Sequence, residues 1–193
     1  MKFYPAIYGK DYESVRAVQE AADADGFPSF GIDYNSRPDE QNVYAYNWTY
    51  AKILRSIMES SSCVVVMIDD MMLSVNFDQL VKSIEYIHYN AATFYMLQIG
   101  WKTLWSEEYP KREYVNGMIA RGIRSHGEYA MVYNAQGAEM MLNLINKHPM
   151  FYIERQLYNL SFPDQSPTGL FHFIDSKADV VDLDWEQNLV EAD

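Results

Sequence analysis

The chain has 193 residues, nearly half of them apolar and 22% charged, a balance that suits one folded domain with its own core and excludes a disordered class. Its net charge of -12, with no cluster of Lys or Arg to offset it, argues against a nucleic-acid binder, which must neutralise several phosphates along one surface. No apolar run reaches the roughly 18–20 residues of a membrane span. The opening Met1-Lys2-Phe3-Tyr4-Pro5 lacks the apolar stretch of a signal peptide. The lone Cys63 leaves no internal disulfide and suits a reducing, cytoplasmic setting.

In chain order, Lys2–Tyr8 reads as a strand ended by Gly9. Glu13–Asp25 reads as a helix closed by Gly26, with Val15, Val18, Ala21 and Ala22 on one face. Ser29–Tyr34 is a short strand candidate, and Asn35-Ser36-Arg37-Pro38-Asp39 a turn-rich loop. Gln41–Glu59 is a long helix that turns Ala45, Trp48, Ala51, Ile53, Leu54 and Ile57 inward.

The run Cys63-Val64-Val65-Val66-Met67-Ile68 is the strongest strand signal, continuously apolar in the manner of a strand covered on both faces. Asp69 and Asp70 follow it directly. Asn76–Tyr89 is the next helix, with Phe77, Leu80, Val81, Ile84 and Ile87 spaced for one face. Thr93–Ile99 and Tyr129–Tyr133 are further strands, and Gln136–Asn146 is a helix carrying Met140, Met141, Leu144 and Ile145. Residues 176–193 form an acidic tail expected on the surface of a single domain that spans residues 1–193. The sequons Asn47-Trp48-Thr49 and Asn159-Leu160-Ser161 read as chance matches.

Strands alternating with helices predict a three-layer α/β/α sandwich around a mainly parallel sheet. Ligands of such sheets bind beyond the carboxyl ends of the strands, where Asp69 and Asp70 stand. Two adjacent carboxylates there repel each other, and a divalent cation relieves that cost. Hard oxygen ligands suit Mn²⁺ or Mg²⁺, with a substrate's phosphates completing the shell. The plainer alternative is a solvated pair that caps the next segment. Sixteen tyrosines and four tryptophans are compatible with stacking on sugars or bases, and equally with half-buried packing.

The stretch Val64-Val65-Val66-Met67-Ile68-Asp69-Asp70-Met71-Met72-Leu73, with Phe77 and Leu80 after it, resembles the acidic motif of GT-A fold glycosyltransferases. It is most similar to the lipooligosaccharide-type family, glycosyltransferase family 25. The order of segments around it fits the same resemblance over residues 46–157. Tyr46–Glu59 stands for the preceding helix, Phe94–Gly100 for the following strand, and Gly127–Glu139 for a Gly-aromatic strand that leads into a small-residue helix start. Ile68 is a departure, because the family's triplet usually opens on a carboxylate.

The resemblance implies transfer of a sugar from a nucleotide diphosphate donor, with a UDP-sugar expected, to a carbohydrate or other hydroxyl acceptor. By position Asp70 is the direct metal ligand, and Asp69 assists it or meets the donor ribose. His172, in Phe171-His172-Phe173, lies where such enzymes sometimes supply a late metal ligand. Tyr8, Gly9 and Lys10 fall near the nucleobase, and Arg37 is placed to steady ribose or diphosphate. Glu154 is the candidate base for the acceptor proton if the anomeric centre inverts. Each has an ordinary alternative: Glu154 paired with Arg155, His172 half-buried, Arg37 simply exposed. His126 is placed near the donor sugar by location alone. Two other classes compete, a metal-dependent nucleotidyltransferase and a non-catalytic binding module. The short Ile7-Tyr8-Gly9-Lys10 is a poor match to the Gly-rich phosphate loop of the former.

Overall fold

The computed structural model describes residues 4–27, 38–67, 76–90, 95–99, 102–103, 114–116, 119–121, 125–126, 130–149, 151–153, 156–157 and 170–173. Residues 4–8 form no strand. They lead into a single 3-10 turn over Gly9–Asp11. This segment lies along the second helix, and the contacts that hold it there explain the departure. The Ile7 N–H donates to Thr49 Oγ1 at 2.9 Å, and Gln41 Nε2 donates to the carbonyls of Gly9 and Tyr12 at 2.5 and 3.2 Å. Helical side chains thus satisfy the backbone groups that a sheet neighbour would have taken.

Helix α1 spans Val15–Ala24 and α2 spans Pro38–Met58. Ser14 caps α1 by accepting the Ala17 N–H at 3.2 Å, and Gly26, at φ 74°, ends it in the left-handed region. Three residues of α2 hold that end. Trp48 Nε1 and Lys52 Nζ reach Asp25 Oδ2 at 2.8 and 3.0 Å, while Arg55 donates to the carbonyls of Asp25 and Gly26 at 3.0 and 2.6 Å. Positions 48, 52 and 55 recur at helical spacing, so one face of α2 meets the end of α1.

The strands are β1 (Val64–Met67), β2 (Met96–Gln98), β3 (Lys102–Thr103), β4 (Tyr114–Asn116), β5 (Ile119–Arg121), β6 (Ser125–His126), β7 (Ala130–Tyr133) and β8 (Leu170–Phe173). Helices α3 (Phe77–Asn90) and α4 (Ala135–Lys147) complete the described elements. Six strands form one sheet in the order β1-β7-β2-β8-β5-β4, and β3 pairs with β6 as a separate ribbon. The chain is therefore mixed α/β.

The sheet is not mainly parallel. Of its five described pairings only β2 with β8 is parallel, and the other four are antiparallel. Strand β7 comes back antiparallel to β2, a pairing that does not need the long, generally helical crossover of a parallel return. It then inserts between β2 and β1, pairing Val132 with Val65 on one side and with Leu97 on the other. The β1–α3–β2 segment still makes two co-directed strands joined through a helix, but β7 separates them.

The sheet's two faces carry separate apolar clusters. Met96, Met131 and Tyr133 join Val18, Ala22, Trp48, Leu54, Met141 and Ile145 from α1, α2 and α4. Leu97, Ile99, Ala130 and Val132 join Leu80 and Ile87 of α3. Strands β2 and β7 are buried along their whole described length, so both contribute to both clusters. Strand β1 differs from expectation: it has no outer neighbour among the described strands, and Val65 and Met67 are 42% and 37% exposed. Phe77 and Val81, expected on the inward face of α3, are also exposed, and Ser83 is buried in their stead.

Candidate functional site

Strands β1 and β2 each run antiparallel to β7, and β8 runs parallel to β2, so β1, β2 and β8 all point the same way. Their carboxyl ends open on one edge of the sheet. Asp69 and Asp70 lie outside the described residues. In the sequence they follow the end of β1 directly after Ile68. The β3–β6 ribbon belongs to the same edge, because β3 follows β2 and β6 precedes β7. Within it Lys102 pairs with His126. The topology thus gathers the end of β1, Lys102, His126 and the end of β8 at one side of the sheet.

His172 occupies β8, where it pairs with Gln98 on one side and Ala120 on the other. Three inter-strand steps separate β8 from β1, about 14 Å at about 4.8 Å per step. The backbone positions of His172 and β1 are therefore well apart along the edge.

Tyr8, Gly9 and Lys10 sit at the amino-terminal end of α2. Gly9 is buried, and a Cβ there would stand 2.7 Å from the Gln41 carbonyl carbon and oxygen, so only glycine fits. Tyr8 is exposed, and the Lys10 ammonium lies 5.3 Å from its ring centroid. Tyr50, farther along α2, brings its hydroxyl 3.1 Å from that of Tyr133, whose register partner is Val64 at the start of β1. Gln41 and Tyr50 are about 14 Å apart along the helix axis at 1.5 Å per residue. Gly9 therefore lies toward the amino-terminal end of α2, while Ile7 reaches Thr49 at its middle. Arg37 and Glu154 lie outside the described residues.

A cavity of about 490 Å³ opens elsewhere. Ser62 and Cys63 before β1, Glu85 and His88 of α3, and Asn134 and Gln136 at the start of α4 line it. It belongs to the amino end of β1, opposite that strand's carboxyl end, and none of the expected site residues is among the described residues that line it. Burial raises the pKa of the Cys63 thiol, which leaves it a weak nucleophile at neutral pH.

Asn47 is a residue whose importance the sequence reading missed. It is 0% exposed, and its Nδ2 donates to the Pro149 and Phe151 carbonyls at 2.6 and 2.9 Å. The amide of the sequon Asn47-Trp48-Thr49 is thus enclosed and engaged. The available signal was an amide at an inward position of α2, one turn before Ala51 and two before Leu54.

Among the described residues no group of three or more His, Cys, Asp or Glu is arranged to hold a metal, and no helix is long and apolar enough to cross a membrane. Comparisons with family models, with curated proteins and with solved structures give no match to this chain.

Proposed function

We propose that the chain is a metal-dependent glycosyltransferase that moves a sugar from a UDP-sugar to a hydroxyl acceptor, on a GT-A-like α/β/α framework. One observation carries the reading: β1, β2 and β8 are co-directed, so the strand that leads into Asp69-Asp70 ends on the same sheet edge as its two co-directed partners. Edges of that kind are where open α/β sheets take their ligands. The reversed strand β7 leaves this intact, because its amino end, approached through His126, reaches the same edge.

Two carboxylates fit a hard divalent cation, Mn²⁺ or Mg²⁺, better than a softer metal. Asp70 holds it directly, and Asp69 assists or meets the ribose. When bound, the cation supplies charge neutralisation to the diphosphate as it departs. Lys102 pairs in register with His126 on the same edge, where the lysine's charge favours a donor that an acidic chain would otherwise repel. Glu154 takes the acceptor proton. The lone Cys63 suits a cytoplasmic setting.

The test is thermal unfolding in the presence of UDP-galactose, UDP-glucose and related nucleotide sugars, with and without Mn²⁺. At least one UDP-sugar stabilises the wild-type chain only when Mn²⁺ is present, and Asp70→Ala abolishes that shift. A shift that survives in Asp70→Ala removes Asp70 from the site. No shift with any nucleotide sugar overturns the transferase reading.

A further inference from the structure

Strand β1 has no outer neighbour among the described strands, and it carries none of the devices that keep such edges from pairing. It reads Val64-Val65-Val66-Met67, without Lys, Pro or Gly, and it meets β7 at four successive positions with no bulge. Val65 and Met67 face the α3 side of the sheet. Their register partners, Val132 and Ala130, belong to the apolar cluster that contains Leu80 and Ile87 of α3. Both side chains are nonetheless exposed, at 42% and 37%.

Helix α3 supplies a second wall. Cys63, two residues before Val65, lines the same cavity as Ile84, Glu85 and His88, so the last turns of α3 stand beside the amino end of β1. A helix that joins two co-directed strands runs back against them. The α3 face that meets the cavity therefore continues along β1 through Val81 to Phe77, one turn apart. These two are 51% and 62% exposed. An open backbone edge and four exposed apolar side chains thus run side by side along β1, over about 13 Å at about 3.3 Å per residue.

Charge frames this strip at both ends. Glu59 precedes β1 and Glu85 lines the cavity, while Asp78 adjoins Phe77 at the far end. Lys82 is the one Lys or Arg of α3. The chain as a whole carries a net charge of -12. A second copy would bring the same sign to the same place, which opposes self-pairing, whereas a basic strand is matched at each end.

We propose that β1 and α3 form a docking groove for an extended basic peptide of a partner protein, which joins the sheet as a new outer strand beside β1. Main-chain hydrogen bonds to the β1 edge hold it, and its alternate apolar side chains cover Val65, Met67, Val81 and Phe77. Lysines or arginines at its ends meet Glu85 and Asp78. The proposal is independent of the transferase reading, and its test uses no nucleotide sugar.

The probe is the fluorescein-labelled peptide Lys-Lys-Val-Thr-Val-Thr-Val-Lys-Lys, titrated with the full chain and followed by fluorescence anisotropy. Saturable binding is expected. It weakens by about 10-fold or more when glutamates replace the four lysines, or when Phe77→Ser and Val81→Ser are combined. Both side chains are exposed, so the double variant is expected to keep the wild-type circular-dichroism spectrum and Tm. N-methylated peptides give a second readout on the unaltered chain. Successive N–H groups of a strand point to opposite edges, so methyl groups on the three valines and on the two threonines block different sides. Binding is expected to be lost with one of these peptides and kept with the other.

No saturable binding to the wild-type chain overturns the proposal, as does equal affinity for the glutamate-ended peptide. Loss with both N-methylated peptides, or with neither, overturns strand addition. A dimer in light scattering that Phe77→Ser/Val81→Ser dissociates assigns the groove to a second copy and overturns the peptide as its occupant.

Discussion

Gly137→Ala puts one methyl group where the fold has no room for it. Gly137 lies in the first turn of α4, where its N–H donates to Asn134 Oδ1 at 2.7 Å and its Cα faces the residue just before β2. A Cβ built there would stand 1.8 Å from the Tyr95 carbonyl oxygen, 2.5 Å from its carbon and 3.1 Å from its Cα. These are backbone atoms, and the same Tyr95 oxygen accepts the Asn134 N–H at 3.3 Å, so no side chain can swing aside. The start of α4 must instead move away from β2, which separates buried Met96 from Ala138 and Met141. Overpacking of this kind costs about 3 kcal/mol, the upper part of its usual range. Alanine returns about 1 kcal/mol over glycine through helix propensity. The loss dominates: the net is a destabilisation of about 2 kcal/mol, or about 4–8 °C in Tm for a chain of this size. Urea unfolding followed by circular dichroism, with a parallel thermal melt, measures it. A variant at or above wild-type stability would show that α4 does not pack on β2 as described.

Gly26→Ala is expected to be milder and to act through a different cause. Open space surrounds that position, so only the strain of φ 74° operates, about 1 kcal/mol or 2–4 °C. Thermal melts of the two alanine variants should rank Gly137→Ala well below Gly26→Ala. Asp25 supplies a pH dependence. The hydrogen bond from Lys52 and then that from Trp48 hold its carboxyl below the ordinary carboxylate range. Its contribution is therefore present above the unfolded value of about 3.9 and is lost as pH falls through the lower folded value. The pair is partly exposed, so Asp25→Asn should cost about 0.5–1 kcal/mol at pH 7. The gap in Tm between wild type and variant should close as pH falls through that lower folded value. A gap that persists there would mean the carboxylate's charge is not what Asp25 contributes.

The helices were largely legible from sequence, because their periodicity reports the face that meets the core. Ala45, Trp48, Ala51, Leu54 and Ile57 of α2 are all buried as their spacing indicates. The sheet was legible only in part. A continuous apolar run says how a strand is covered but not which way its neighbour points, so Ala130–Tyr133 gave no sign that it runs against both of its neighbours. Composition also misjudged which strand is covered on both faces. Val64–Met67 is the more β-branched run, yet Ala130–Tyr133 is the one fully enclosed. The strands between Lys102 and His126 are two or three residues long, too short to establish a period of their own. For the site, the sequence singled out Asp69 and Asp70 through their unusual chemistry. Asn47 passed unremarked because amides in helices are common, and only burial reveals what this one holds.

The place of β7 has a consequence for how the polypeptide is made. Residues 64–67 and 96–98 leave the ribosome well before residues 130–133, and the segment that must lie between them has not yet been synthesised. Until it arrives, two apolar ribbons wait with unsatisfied amides facing a gap, a state that invites pairing with a neighbouring nascent chain. Closing that gap joins segments far apart in sequence, which slows folding. A pause that leaves β1 and β2 emerged but Ala130–Tyr133 still inside the ribosome would hold the chain in its most vulnerable form, and emergence of Tyr133 would end the exposure in one step.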